Sequence, residues 1–117
     1  MTVWEEFLKI KGWTSKYESV DRALRHYSRK VKSQKTKENF CTTLTQFCKY
    51  SNLSPDALAT LTPKNASRRC QDFTDNLREK DYSIRYINVS QAYLRTFFRE
   101  NGFRANRELT IERYHQP

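Results

Sequence analysis

The sequence is poor in the residues that interrupt regular structure. It has two glycines and three prolines in 117 residues. This argues against an all-β sandwich, which needs many turns, and against a linker-rich or disordered chain. No apolar run approaches the ~18 residues of a membrane span, and the N-terminus MTVWEEFLKIKGW lacks the apolar core of a signal peptide. We therefore expect one soluble, all-α domain in the cytoplasm.

Cysteine is also scarce, and its placement excludes a zinc site. Cys41, Cys48 and Cys70 are an odd count without a C-x-x-C pair, and neither His26 nor His115 is near them in sequence. We expect reduced cysteines that act as small hydrophobic residues at or beside the core. No paired carboxylates, glycine-rich phosphate loop or Cys/His dyad stands out, so we expect neither an enzyme nor a cofactor.

Basic residues, by contrast, are abundant. The chain has 22 lysines and arginines against 13 acidic residues, a net charge of +9, which favours DNA, RNA or a membrane surface as partner. A stretch without any acidic residue contains seven of them: Arg22, Arg25, Arg29, Lys30, Lys32, Lys35 and Lys37. Such a block can be an ordinary solvated face, but no interleaved acid relieves its repulsion, which favours an anionic partner. A second set comprises Lys80, Arg85, Arg95 and Arg99.

Capping residues and apolar spacing predict a series of helices. The box from Thr2 to Glu5 predicts a first helix over residues 3–11, ended by Gly12. Apolar residues at helical spacing predict a second over 19–31. Helix starts are predicted at Ser33, Ser54-Pro55, Thr62-Pro63 and Ser83, and the corresponding ends near Tyr50, Thr60, Lys80 and Asn101-Gly102.

Apolar stripes identify the inward faces of these helices. Phe40, Leu44 and Phe47 form one stripe. The last helix carries a wide apolar face, as a central helix does, made of Ile87, Leu94 and Phe98 with Tyr86, Tyr93 and Phe97 beside them. After Gly102 the helical periodicity ends, and the alternation of Leu109 and Ile111 with polar residues would suit a short strand.

Two of the predicted helix starts share a chemistry that suits DNA. Arg and Asn make bidentate contacts to base edges, Ser and Tyr hydroxyls hold phosphates, and a helix start favours an anion. The first start offers Ser33, Lys35, Thr36, Lys37 and Asn39, and the second offers Ser83, Arg85, Tyr86 and Asn88. Together they predict a cradle for duplex DNA, and two ordinary capped surface helices are the alternative.

The order of these motifs resembles a known family. Ser33-x-x-Thr36, Phe40, Leu44 and Phe47 are followed by Ser54-Pro55-Asp56-x-Leu58, Leu61-Thr62, Phe73-x-x-x-Leu77, Ser83-x-x-x-Ile87-Asn88 and Leu94-Arg95-x-Phe97-Phe98-x-x-x-Gly102. Over residues 33–103 the chain is similar to the SAM-like, N-terminal core-binding domain of tyrosine recombinases, the phage-integrase family.

The resemblance implies a compact bundle of four to six helices that forms one half of a C-shaped clamp around duplex DNA. The helices starting at Ser33 and Ser83 would face the DNA. Thr36, Asn39 and Thr43 would point outward from the first of them. Arg85 and Tyr86, with Tyr93 beside them, would point outward from the last.

The chain is expected to divide into three parts, and the resemblance covers only the second of them. Residues 1–31 would be an N-terminal helical extension, 32–103 the core-binding domain, and 104–117 a tail or the start of a linker to a catalytic domain absent here. That domain supplies the family's Arg, Lys, His-x-x-Arg and nucleophilic Tyr. The His26-to-Arg29 match is upstream and in the wrong order, and Tyr114 lacks the surrounding positive charge that cleavage needs. We therefore expect binding without cleavage, with the catalytic domain of the same parent chain and further copies on DNA as partners, and no membrane partner. A free-standing small protein is the alternative to a fragment of a recombinase.

Two other functions remain open at this stage. A helical protein–protein interaction module would expose an apolar patch, for which Trp4, Phe7, Leu8 and Trp13 are candidates. RNA binding is less favoured, because the aromatic residues lie on apolar stripes and no single-strand recognition motif is present.

Overall fold

The computed structural model describes residues 12–30, 33–104 and 108–112. They form five helices, which are α1 (Glu18–Lys30), α2 (Gln34–Ser51), α3 (Pro55–Ala59), α4 (Pro63–Glu79) and α5 (Ile84–Glu100). No described residue is in a strand. The predicted all-α bundle of four to six helices is therefore confirmed. The helix predicted over residues 3–11 lies outside the described residues.

Side-chain caps fix the starts of four helices where the sequence predicts them. Each capping hydroxyl accepts a hydrogen bond from the backbone N–H three residues later, at 3.1–3.3 Å, which satisfies one of the unpaired donors of a helix start. The caps are Ser33, Ser54, Thr62 and Ser83. Because this chemistry is local, it can be read from sequence.

Left-handed residues stop the three long helices α2, α4 and α5. Asn52 (φ 55°), Asp81 (φ 64°) and Gly102 (φ 100°) adopt positive φ values one or two residues after the last helical residue. After α5, the N–H of Gly102 donates to Arg99 O and the N–H of Phe103 donates to Phe98 O. These are the two hydrogen bonds that define a Schellman motif. The predicted stop at Gly102 is thus confirmed.

The apolar face of α5 lies at the centre of the core. Ile87, Leu94, Phe97 and Phe98 are at most 1% exposed, and α5 packs against α1, α2 and α4. The Phe98 ring meets the Phe47 ring of α2 edge to face, with centroids 6.3 Å apart. The inward stripes predicted for α2 and α5 are therefore the ones that pack.

Helix α1 shares this core. Val20, Ala23 and Leu24 are completely buried in the same cluster as the α5 residues, and α1 contacts α2, α3 and α5. Residues 18–30, which the sequence assigns to an N-terminal extension, thus pack as part of the bundle.

Residues 108–112 are held against α4 and α5 without forming a strand. Leu109 and Ile111 are 3% and 7% exposed and belong to the core cluster. Two α5 side chains donate to the segment's backbone: Gln91 Nε2 to Glu112 O (2.8 Å) and Arg95 Nη2 to Ile111 O (2.9 Å). From α4, Gln71 Oε1 accepts from the N–H of Glu112 at 2.7 Å.

Among the described helices, none combines the length and apolarity that crossing a bilayer would require.

Candidate nucleic-acid interface

The start of α5 is the better exposed of the two predicted DNA-binding helix starts. Ser83 and Arg85 are exposed, Tyr86 and Asn88 are half-buried, and the first turn contains no acidic residue. The free N–H groups and positive end of the helix favour an anion there, and Arg85 adds a full charge. The four residues predicted at this start therefore do lie on one turn and a half of a capped helix.

Tyr86 is held in place by two neighbours. Its ring stacks on Tyr82 with centroids 4.8 Å apart and planes at 19°. Its hydroxyl donates to Gln46 Oε1 of α2 at 3.2 Å. Tyr86 therefore orders this end of the bundle and connects it to α2, while Tyr93, the other tyrosine predicted to face outward, packs beside Tyr27 and Phe40.

The start of α2 presents fewer groups than the sequence predicts. Ser33 caps the helix, Thr36 is half-buried, and Lys35 and Asn39 are exposed. Lys37, however, is only 5% exposed.

The two buried residues of this set point into the protein. Lys37 Nζ donates to Gly12 O at 2.8 Å and lies 5.3 Å from the Trp13 ring centroid. Thr43 is 4% exposed, so the expectation that it faces outward is not met. Both lie on the helical stripe of Phe40 and Phe47, at spacings of three or four residues, which is why they are buried.

The two helix starts lie apart along α2. Tyr86 of α5 reaches α2 at Gln46, twelve residues after Gln34, where α2 begins. At about 1.5 Å per residue that is ~18 Å along the helix. The α5 start therefore lies beside the C-terminal half of α2.

Much of the positive charge on α1 is paired within the helix. Arg22 bonds Glu18 and Arg25 bonds Asp21, each at 2.7 Å. Both acids stand four residues before their partners, just outside the acid-free stretch considered in the sequence. The inference that this whole stretch is unrelieved is thus wrong for Arg22 and Arg25.

A basic groove opens next to the start of α5. Its volume is about 360 Å³. Its lining comes from α2, from α4 and from the turn between α4 and α5: Gln46, Lys49, Tyr50, Phe73, Asn76, Leu77, Lys80 and Tyr82. Among these lining residues there are two lysines and no carboxylate, so the groove is electrostatically suited to an anion. We call this feature the Tyr82 groove.

The aromatic walls of the Tyr82 groove are unusually exposed for this protein. Tyr50 is 46% and Tyr82 is 37% exposed. Tyr50 packs on the buried Phe73 ring, with centroids 5.7 Å apart, and its hydroxyl donates to Asp72 O at 3.4 Å. Both rings are thus supported from behind while part of their surface stays open to solvent.

Sequence reasoning missed three of the residues that matter here. Lys49, Tyr50 and Tyr82 were not selected, and Lys80 was noted only as part of a charge set. A usable signal was present, since Lys49-Tyr50 ends one predicted helix and Lys80-Asp81-Tyr82 precedes another. A lysine followed closely by a tyrosine occurs at the ends of two predicted helices. Such a repeated pair indicates that the two helix ends could form one surface.

The cysteine thiols are buried in the core. No group of three or more potential metal ligands occurs among the described residues. All three cysteines are free and buried, as predicted. Burial raises the pKa of Cys41 to about 11 and that of Cys48 to about 12, so neither is a thiolate near neutral pH.

Most of the residues suggested for an apolar, protein-binding patch lie outside the described residues. Trp4, Phe7 and Leu8 lie outside the described residues. Trp13 is half-buried, next to the Lys37 side chain.

Comparison with protein-family models, with curated proteins and with solved structures finds no significant match to this chain.

Proposed function

We propose that the chain is a duplex DNA-binding module, and that its parent is a tyrosine recombinase whose separate catalytic domain cuts the DNA. The sequence resemblance over residues 33–103 supports the recombinase part, and the all-α bundle agrees with it. The net charge of +9 supports an anionic partner. Further copies on the same DNA would complete the assembly.

The observation that carries the proposal is that Lys49 and Lys80 line one groove and Arg85 stands on the first turn of α5, the helix that follows it in the chain. They come from the end of α2, the end of α4 and the start of α5, and all three are exposed. Contacts of lysine and arginine side chains to DNA phosphates fix the position of a protein on the duplex and contribute most of its non-specific affinity. The exposed Lys35 and Asn39 at the start of α2 are a second, separate contact region.

The proposal is tested by titrating the chain into a labelled blunt duplex at several salt concentrations, followed by fluorescence anisotropy. We expect a Kd of roughly 10⁻⁴ to 10⁻⁶ M, and a log–log salt slope of about −5 if five or six phosphates are contacted. Arg85→Gln should weaken binding and reduce the magnitude of the slope by about 1. Lys80→Gln should do the same.

The matched control is Arg25→Gln, which removes the same charge from a residue paired with Asp21 on α1. It should leave the affinity and slope close to those of the unmodified chain. An equal loss in Arg25→Gln and Arg85→Gln would show that only net charge matters, which contradicts the interface. No binding at low salt would contradict DNA binding itself.

A further inference from the structure

The Tyr82 groove combines exposed aromatic rings with positive charge. Phe73 and Leu77, buried in the core, lie behind it, and Tyr50 and Tyr82 line it with exposed rings. Lys49 and Lys80 place positive charge at the same opening. A phosphate alone would need only the lysines, and an apolar ligand would need only the aromatic rings.

A nucleotide has both parts that the groove offers to bind. Its base has a flat π face that stacks on aromatic side chains, and its phosphate pairs with lysine. Gln46 and Asn76 add amide donors and acceptors for a base edge. The volume of about 360 Å³ falls within the range of about 300–1,000 Å³ typical of small-ligand sites.

From this combination we infer that the groove binds one unpaired nucleotide, with its base against the rings of Tyr50 and Tyr82 and its phosphate near Lys49 and Lys80. This inference rests on the proposed function, because the strand that enters the groove belongs to the DNA bound beside Arg85. Bases inside an intact duplex are stacked and cannot enter. The preferred partner is therefore a duplex with unpaired nucleotides next to it.

The support behind the rings prepares the groove for stacking. Tyr86 covers Tyr82 from one side in a nearly parallel stack, and Phe73 supports Tyr50. Two of the side chains that a base would contact are thus already ordered, so less side-chain freedom is lost when the base binds.

The test compares a hairpin duplex with a blunt end and the same hairpin with a short unpaired extension, both followed by anisotropy. The unpaired extension should tighten binding about tenfold, the effect of roughly one stacked base. Tyr50→Leu should remove that gain and leave affinity for the blunt hairpin unchanged, since the Tyr50 ring packs on Phe73 and is not one of the charged contacts to the duplex. Tyr82→Leu should also remove the gain.

Tyr17→Leu, at a tyrosine that packs elsewhere on the core, is the matched control and should keep the whole gain. The unfolding midpoint of each variant shows whether the fold is intact. Blunt-duplex binding without any gain from the extension overturns the nucleotide site and leaves the proposed function standing. An equal loss on both hairpins in Tyr50→Leu also overturns it, and no binding of either hairpin removes the proposed function and the inference together.

Discussion

The Asp56 carboxylate of α3 caps the start of α1, a helix 37 residues earlier in the chain. One of its oxygens, Oδ1, accepts hydrogen bonds from both the backbone N–H (3.1 Å) and the hydroxyl (2.6 Å) of Ser19. Ser19 stands in the first turn of α1, where backbone N–H groups lack helical partners. A side chain from another helix therefore does what a neighbouring Ser or Thr does for the four other helices.

Removing this cap should destabilise the bundle. Asp56→Ala leaves the N–H of Ser19 without its acceptor, and we expect the free energy of unfolding to fall by about 1–2 kcal/mol. Urea unfolding followed by circular dichroism measures the change. Asp72→Ala, at an exposed acid on α4, is the control and should shift stability by less than about 0.5 kcal/mol. Equal effects of the two substitutions would contradict a capping role.

Residues 108–112 should contribute to stability like part of the core. Leu109 is 3% exposed, so Leu109→Ala should cost about 2–3 kcal/mol through lost burial and the cavity left behind. Thr110→Ala, at the exposed neighbour, should cost less than about 0.5 kcal/mol. A free tail would instead tolerate both substitutions equally, and thermal or urea unfolding distinguishes the two results.

His26 should make the fold less stable in mild acid. Burial lowers its pKa below the usual 6.5, although Glu100 acts in the opposite direction and Arg99, Lys30 and Arg29 act with burial. Between the two pKa values, His26 carries a proton in the unfolded chain and is neutral in the folded chain. The stability that comes from a neutral, buried His26 therefore falls as the pH drops below about 6.5 towards the folded pKa.

An NMR titration of the His26 ring measures the shift directly. Glu100→Gln should lower the pKa further, because it removes the carboxylate that lies 3.6 Å from His26 Nδ1. In His26→Gln, stability between pH 7.5 and 5 should change less than in the unmodified chain. A folded pKa at or above 6.5 would contradict this reasoning.

The thiols should be unreactive while the protein is folded. All three cysteines are buried, and burial raises the pKa of each thiol, so both access and the thiolate fraction are small. At pH 8 a thiol reagent should label almost no cysteine in the folded chain and all three in denaturant. Rapid labelling of the folded chain would show that the core opens locally or that a cysteine is exposed.

The helices could be predicted from sequence because their signals are local. Ser33, Ser54, Thr62 and Ser83 each determine a start through a bond to a residue three positions away. The docking of residues 108–112 could not be predicted in the same way. It depends on Gln71, Gln91 and Arg95, which lie 16 to 41 residues before the backbone groups they contact, and no periodicity in the segment indicates those partners.

The candidate site was only partly accessible to the same reasoning. Arg85 is exposed at the start of α5 as expected. Lys37 and Thr43 fell on the buried stripe of α2, whose spacing already argued for burial, and the chemistry of a basic helix start obscured that signal. The Tyr82 groove depends on three elements meeting, and the sequence does not show that the ends of α2 and α4 lie side by side.

Helix α5 connects the basic end of the molecule to the docked segment. It presents Arg85 on its first turn and, six and ten residues later, Gln91 and Arg95, which hold the backbone of residues 111 and 112. An α-helix of this length bends little, so a tilt of its first turn is carried to the later turns. The direction of the chain at Glu112 is therefore coupled to the position of Arg85 at the other end of the helix.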